Sequence, residues 1–493
     1  MTATPTGAIT GREAAQEDRA FFGHPRGLSL LFLAEMWERF SYYGMRALLV
    51  LYMVHVLKWT DAHASNLYGS YTGLTFLTPL FGGYLADKWI GTRRSLVVGG
   101  VIIACGHFVL ALDSLPSFYA GLTLVVIGTG FFKPNVSTMV GQLYQPGDQR
   151  RDAGFTIFYM GINLGATIAP FICGYLAQAP GFQETLVHAG LNPARSWSWG
   201  FGAAGVGMLL GLALYLKLRD KYLPGIGVRA AHTGPTLASR GQAATLPPAP
   251  ASASAPASPS EPASGPLSPD ERRRVISLLI LFLFVACFWL VYEQGGSSLN
   301  LFADRYTDLH AGSTVFPSSY FQSAQPFFVI TLAPLFALLW TRLRKAGREP
   351  STPAKMVWGL GLVAVGTLFL IGGGRVVDAC MGSHAATSCA VASPAWLTMF
   401  YLFSVLGELC VSPVGLSYVT KVAPVRYVGF LMGAWFLTNS SGLKLAGFVA
   451  SLASTMPSQV SFFSILLAIS AVAGLLLFLC VPVIKRLTAS VRL

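Results

Sequence analysis

Long apolar stretches separated by short polar ones run along the chain, and a helix of about 20 apolar residues, rising 1.5 Å each, crosses roughly 30 Å of hydrocarbon. Twelve stretches reach that length, beginning near Gly27, Ala64, Arg94, Leu115, Ala153, Trp197, Arg273, Phe316, Ala354, Pro394, Tyr427 and Ser461. No run shows the apolar-polar alternation of membrane-barrel strands. The pattern predicts an all-α integral membrane protein with twelve transmembrane helices, because a helix satisfies its own backbone groups in lipid. Between the sixth and seventh stretches, LPPAPASASAPASPSEPASGPLSP carries no apolar run and has the composition of a disordered linker. The expected division is an N-terminal tail (1–26), a six-helix bundle (27–222), the linker (223–271), a second six-helix bundle (272–486) and a C-terminal tail (487–493).

Composition agrees. Of 493 residues 53% are hydrophobic and 11% charged, and the mean hydropathy is +0.56, outside the range of soluble globular proteins. The first residues are polar and alanine-rich, without the pattern of a cleavable signal. The net charge of +13 points to nucleic acid only until it is located. Lys and Arg gather in the two tails and the even-to-odd loops, with Lys58, Arg195, Arg305 and Arg375 in the opposite loops and four more within spans. That skew is the positive-inside rule: both termini are expected in the cytoplasm, with the basic runs against phospholipid head groups and no nucleic-acid partner. Five of the seven cysteines lie in spans; Cys380 and Cys389 share one external loop, either as two thiols or as a disulfide in an oxidising compartment.

The exceptions to apolarity carry the chemistry. EMWERFSYYGMR, Glu35 to Arg46, sits inside the first span. At 100° per residue Glu35, Arg39, Tyr42 and Arg46 fall within about 60° of one another, flanked by Glu38 and Tyr43. A charge at mid-bilayer costs several kcal/mol, so this face looks into a cavity or at partners; Glu35 and Arg39, i and i+4, also allow a purely structural ion-pair stripe. Lys133 on the fourth span lies roughly 15 Å from its cytoplasmic end, level with Glu35, Glu38 and Arg39. Arg46 and Glu293 lie higher, and Glu408 faces from the tenth span. Three bases of one half are thus expected opposite two lone carboxylates of the other. Such a dipolar cavity suits a ligand with a carboxylate at one end and an ammonium at the other.

The loop GGYLADKWIGTRR, with Gly83, Asp87, Gly91, Arg93 and Arg94, resembles the signature loop of the major facilitator superfamily, in which two halves rock about a midplane site. EMWERFSYYGMR resembles the E-x-x-E-R-F-x-Y-Y-G motif of the proton-coupled oligopeptide transporter family within that superfamily, and GTGFFKPNVSTMVGQLY, FTIFYMGINLG, FWLVYEQGGSSLN and GELCVSPVGLSYVTKVAP are similar to further family segments. The resemblance implies uptake of di- and tripeptides with protons into a bacterial cytoplasm across the inner membrane, by a monomer with no cofactor other than the coupling proton. It implies a proton-coupling set of Glu35, Glu38, Arg39, Lys133 and Glu293. It further implies a peptide site of Arg46 and Lys133 for the carboxylate, Glu408 and Asn163 for the amine, and Tyr42, Tyr43, Tyr71, Trp289, Gln325, Ser412, Trp435 and Phe436 around them.

Departures from the family pattern are Gln325, where many members have Asn, and Gly69, where animal members carry a histidine. The two extra helices of many bacterial members and the large external domain of animal ones also have no counterpart here. The role of Lys444 is left between snorkelling, interhelical pairing and function. A transporter of nitrate or another small anion would leave Glu408 unused; a non-transporting peptide receptor finds no support in twelve spans and a rocking loop. No His/Cys/Asp cluster or Ser/His pair falls at matching depth to make an enzyme.

Overall fold

The computed structural model describes residues 11–145, 147–228, 267–383 and 389–491, and they are dominated by helix. A short helix α1 (Gly11–Glu17) is followed by the long helices α2 (Arg26–His55), α3 (Asp61–Leu85), α4 (Thr92–Leu110), α5 (Leu115–Gln142) and α6 (Arg150–Gln178), the short α7 (Pro180–His188), and α8 (Ser196–Tyr222). Then come α9 (Pro269–Tyr292), α10 (Ser298–Tyr306), α11 (Ala324–Lys345), α12 (Thr352–Gly382), α13 (Pro394–Val422), α14 (Val428–Ser451) and α15 (Gln459–Leu487). Polar residues between apolar runs start several of them. Thr60 accepts a bond from the His63 amide, and Ser114 with Ser117, and Ser268 with Glu271, form reciprocal capping boxes. A two-residue antiparallel hairpin, β1 (His310–Ala311) with β2 (Thr314–Val315), lies between α10 and α11.

Nine helical segments among the described residues are long and apolar enough to cross a membrane, so the expected twelve are met in part. The remaining long helices, α2, α3 and α14, are those with heavy polar loads: the charges of α2, buried Ser65, Thr72 and Thr75 on α3, and buried Thr438, Asn439 and Ser440 on α14. Within the first half α2 packs on α6 and α8, and α4 on α5 and α8; within the second, α12 packs on α13 and α15, and α9 on α14 and α15. Across the halves α3 lies on α14, and α6 on α11. The α3–α14 crossing is as close as backbones allow: a Cβ on Gly69 would stand 2.8 Å from the Gly447 Cα. Gly69 is therefore a packing requirement, which a histidine there could not meet.

Other boundaries move. The expected linker falls largely on 229–266, outside the described residues, but Leu223 and Ile226 are buried in the first half and α9 already begins at Pro269. Part of the expected N-terminal tail is folded: α1 buries Ala15, Gln16 donates to the Gln142 carbonyl at 2.9 Å, and Arg150 donates to the carbonyls of Gln16 and Gly23. Cys380 and Cys389 are joined as a disulfide, with Cα atoms 5.9 Å apart.

Candidate substrate and coupling site

A cavity of about 110 Å³ lies between the halves, walled by α2, α3, α5, α6, α9, α11, α13 and α14. Glu35, Arg39, Tyr42, Tyr43 and Arg46 reach it from α2, and Lys133 from α5. Asn163, Trp289, Glu293, Gln325, Glu408, Ser412 and Trp435 complete the sequence-expected residues that border it. The 3.6-residue period brings Glu35, Arg39, Tyr42 and Arg46 to one face of α2, as expected from the sequence. A larger cavity of about 750 Å³, bordered by residues such as Trp37, Phe108 and Trp199, contains no charged side chain and is not the site.

Two ion systems occupy the cavity. Arg39 Nε lies 3.1 Å from Glu35 Oε1 and also bonds Glu38, all three buried on α2. Glu38 does not border the cavity. Arg46 of α2 pairs with Glu293, which ends α9 across the interface between halves, and its Nε donates to the Tyr68 hydroxyl at 2.5 Å. Tyr43 and Tyr68 lie under the Arg46 guanidinium at 5.6 and 5.7 Å. Of the three bases and two carboxylates expected to face one another, Arg39, Arg46 and Glu293 have charged partners, Arg39 through the i, i+4 contact with Glu35 that the sequence allows. The cavity charges that make no direct ion pair among the described residues are Lys133, whose Nζ sits 3.9 Å from the Phe76 ring centroid, and Glu408, which accepts a 2.5 Å bond from the Tyr292 hydroxyl.

Glu293 lies where the seventh span breaks. A 3-10 turn over Glu293–Gly296 separates α9 from α10, and the Gly296 backbone comes so close to Tyr68 that a Cβ would fall 1.7 Å from its hydroxyl. By its apolar pattern alone this span reads as continuous. Sequence reasoning also misses Tyr68, Tyr159, Tyr292, Gln322 and Asn439; the signal available for Tyr292 is its place beside Glu293, and for Tyr159 its place four residues before Asn163, whose amide donates to its carbonyl at 3.0 Å. Tyr71 and Phe436, also expected around the peptide, do not border this cavity. Tyr71 is buried off the cavity, and Phe436 packs on the core of the second half.

The cavity is lined with unspent hydrogen-bonding capacity. Trp289 Nε1, Gln325 Nε2, Ser412 Oγ and Asn439 Oδ1 are buried with no partner among the described residues. Buried polar atoms are nearly always paired, so this group of donors and acceptors offers partners to a polar ligand such as an amide backbone.

At one end of the bundle, polar ties join the halves. Arg305 holds Asp61 through bonds of 2.6 and 2.7 Å, His55 Nε2 lies 2.6 Å from Asp304, and Asn300 donates to the Ala47 carbonyl. Toward the opposite end lies the motif loop. Gly91 turns the chain at φ +84°, a conformation open to glycine, and Arg93 donates to Asp220 and to the Leu223 carbonyl, while Arg94 is exposed. Gly83 and Asp87 lie at the end of α3 and the turn beyond it. Lys444 bonds Ser70 of α3 at 2.7 Å, an interhelical tie.

The sequence profile of the POT family matches residues 93–222 and 261–466. Among curated proteins, the "Uncharacterized transporter YclF" of Bacillus subtilis is 38% identical over 95% of this chain and 96% of its own length. The "Peptide transporter YePEPT" of Yersinia enterocolitica is 36% identical, again over 95% of this chain and 96% of its own. A solved POT family transporter in complex with a thioalcohol-conjugated peptide superposes with a TM-score of 0.77 at 30% identity, covering 95% of this chain and 98% of that one.

Proposed function

The chain belongs to the POT family, and from that premise we propose that it is a proton-coupled symporter importing di- and tripeptides by alternating access of two six-helix halves. Counting α2, α3 and α14 as membrane helices beside the nine apolar spans gives the twelve crossings, with α9 and α10 as one broken helix. By the positive-inside rule the basic end faces the cytoplasm of a bacterial inner membrane, and the end tied by Arg305–Asp61 and His55–Asp304 faces outside. On this reading the protein works as a monomer.

The observation that carries this reading is the pair of unmatched charges, Lys133 and Glu408, on one cavity wall each. They suit the carboxylate and the ammonium of a zwitterionic peptide, and the unpartnered amide, indole and hydroxyl groups suit its backbone. A small anion would use Lys133 and leave Glu408 buried against it. Arg46 joins the carboxylate side once Glu293 is protonated and releases it. Proton arrival at Glu35 or Glu38 frees Arg39 in the same way, so proton and peptide share ion pairs, and the two movements are coupled.

The energetics suffice. One charge over 100 mV supplies about 2.3 kcal/mol and one pH unit about 1.4. Together they sustain a gradient of roughly 500-fold at 1.4 kcal/mol per tenfold. Proteoliposomes with an acidic exterior should accumulate labelled dialanine and stop when a protonophore is added. Accumulation of nitrate instead, or dialanine binding without entry, overturns the proposal.

A further inference from the structure

A second cavity of about 330 Å³ lies beside the first, between α6, α11, α12 and α13, and shares Tyr159, Asn163 and Val329 with it. From Val329 to Arg344 it tracks α11 for roughly 22 Å along the helix axis. Its upper walls are apolar, formed by residues such as Ile330, Ala333, Phe336, Leu409 and Val414. On the outward side of α11, Phe327, Leu335, Leu338 and Leu339 are exposed, so this wall of the cavity fronts the hydrocarbon.

The lower mouth is cationic. Glu349 accepts from Arg344 at 2.7 Å and from Lys355 at 2.6 Å, and Lys355 is buried with its Nζ 4.4 Å from the Trp340 ring centroid. Lys421 adds a third cation and has no ion pair among the described residues. The Glu349 carboxyl is pushed down to about 2, first by its bond from Arg344, so its single negative charge is fixed at any working pH. Three cations around one carboxylate leave the mouth positive. The first turn of α12 opens there at Thr352, and Trp340 Nε1 is buried with no partner among the described residues.

We propose that this cavity holds one acyl chain of an anionic phospholipid, its phosphate seated among Arg344, Lys355 and Lys421 and its chain running up to Tyr159 and Asn163 at the floor of the central cavity. The dimensions select the occupant. Half of a roughly 30 Å hydrocarbon core plus a head group matches the length of the slot. A dipeptide extends only about 7 Å and would find no partners for its termini along the apolar walls. Because the tip of the chain lies at residues common to both cavities, lipid occupancy is coupled to the shape of the peptide site. The inference rests on the chain's crossing the membrane as proposed, and not on peptide transport.

The test is native mass spectrometry of the detergent-purified full chain with dioleoylphosphatidylglycerol, dioleoylphosphatidylcholine or inorganic phosphate added. A surplus of basic charge near a head group predicts retention of the glycerol lipid roughly tenfold or more above the choline lipid. Arg344→Gln with Lys421→Gln should erase that preference, and Ala337→Trp, which fills the slot, should remove retention of both lipids. Equal retention of the two lipids by the unmodified chain, glycerol-lipid retention unchanged in Ala337→Trp, or displacement by millimolar inorganic phosphate overturns the proposal. The double variant alters only the mouth, so it keeps the test decisive if the tryptophan variant does not fold. None of these outcomes depends on uptake.

Discussion

The two ion systems of the central cavity use the same groups and join different things. Arg39 with Glu35 and Glu38 is confined to α2. Arg46 with Glu293 bridges α2 to the break in the seventh span, on the other side of the interface between halves. Protonating a glutamate of the first system changes which cation is free and leaves the packing of the halves alone. Protonating Glu293 undoes a tie between halves. We read the first as the exchange point between proton and peptide carboxylate, and the second as the point where protonation meets rocking. A third knot, Glu349 with Arg344 and Lys355, has the same chemistry at the membrane edge, away from the central cavity, and serves as a control for the pH dependence alone.

The largest effect should come from breaking the bridging pair. Arg46→Ala leaves Glu293 buried without its cation, a penalty of about 3–5 kcal/mol, so uptake should fall at least a hundredfold. Restoring neutrality with Arg46→Ala and Glu293→Ala together should recover counterflow exchange in part but not accumulation under a pH gradient. A double variant as inert in exchange as the single one contradicts the idea that the two act as a unit. Next in size, Glu35→Gln or Glu38→Gln should abolish pH-driven accumulation and spare counterflow, because the tie between halves is untouched. Concentration of dipeptide by either variant under an imposed gradient removes that glutamate from the coupling.

A smaller change separates the two roles of Lys133. Lys133→Ala should lose binding and accumulation together. Lys133→Arg should still bind peptide but accumulate poorly, since guanidinium is always charged and pairs bidentately with a neighbouring glutamate. An arginine variant that accumulates at the unmodified rate ends that argument. The smallest effect belongs to the control. Glu349, with its carboxyl at about 2, is ionised in the folded protein throughout the physiological range. Because that value is depressed, its contribution to stability is full above the ordinary carboxylate range and is lost only as pH falls from about 4.5 toward 2. Glu349→Gln should therefore cost on the order of 1 kcal/mol and leave the pH profile of uptake unmoved. A shifted profile would mean that the membrane-edge knot takes part in coupling.

Much of this site is legible in the sequence because its elements obey simple periods. A 100° step per residue places Glu35, Arg39, Tyr42 and Arg46 together, and charge in an apolar span singles out Lys133, Glu293 and Glu408. What the period cannot say is which charges meet. Arg46 and Glu293 are 247 positions apart, and they meet where the seventh span breaks over Glu293–Gly296, a break the apolar pattern does not mark. The neighbours Trp435 and Phe436 show the same limit: one hundred degrees of helix separates the cavity from the core. The burial of α1 leaves no sign in the sequence because its seven residues carry no apolar stripe. Gly69 and Gly73 stand at the G-x-x-x-G spacing of close helix crossings, but the spacing does not say that α14 is the helix that lies against them.

The central claim is that Glu408 and Lys133, the two charges left unpaired, receive the two ends of one peptide. Isothermal binding of dialanine and of N-acetyl-dialanine to the unmodified protein and to Glu408→Gln tests it most directly. The account predicts that the substitution weakens dialanine by tenfold or more, as for a lost charge-assisted hydrogen bond of about 1.5–3 kcal/mol, and weakens the acetylated peptide far less, because only the free amine places a cation beside the carboxylate. Equal losses for the two peptides would contradict it.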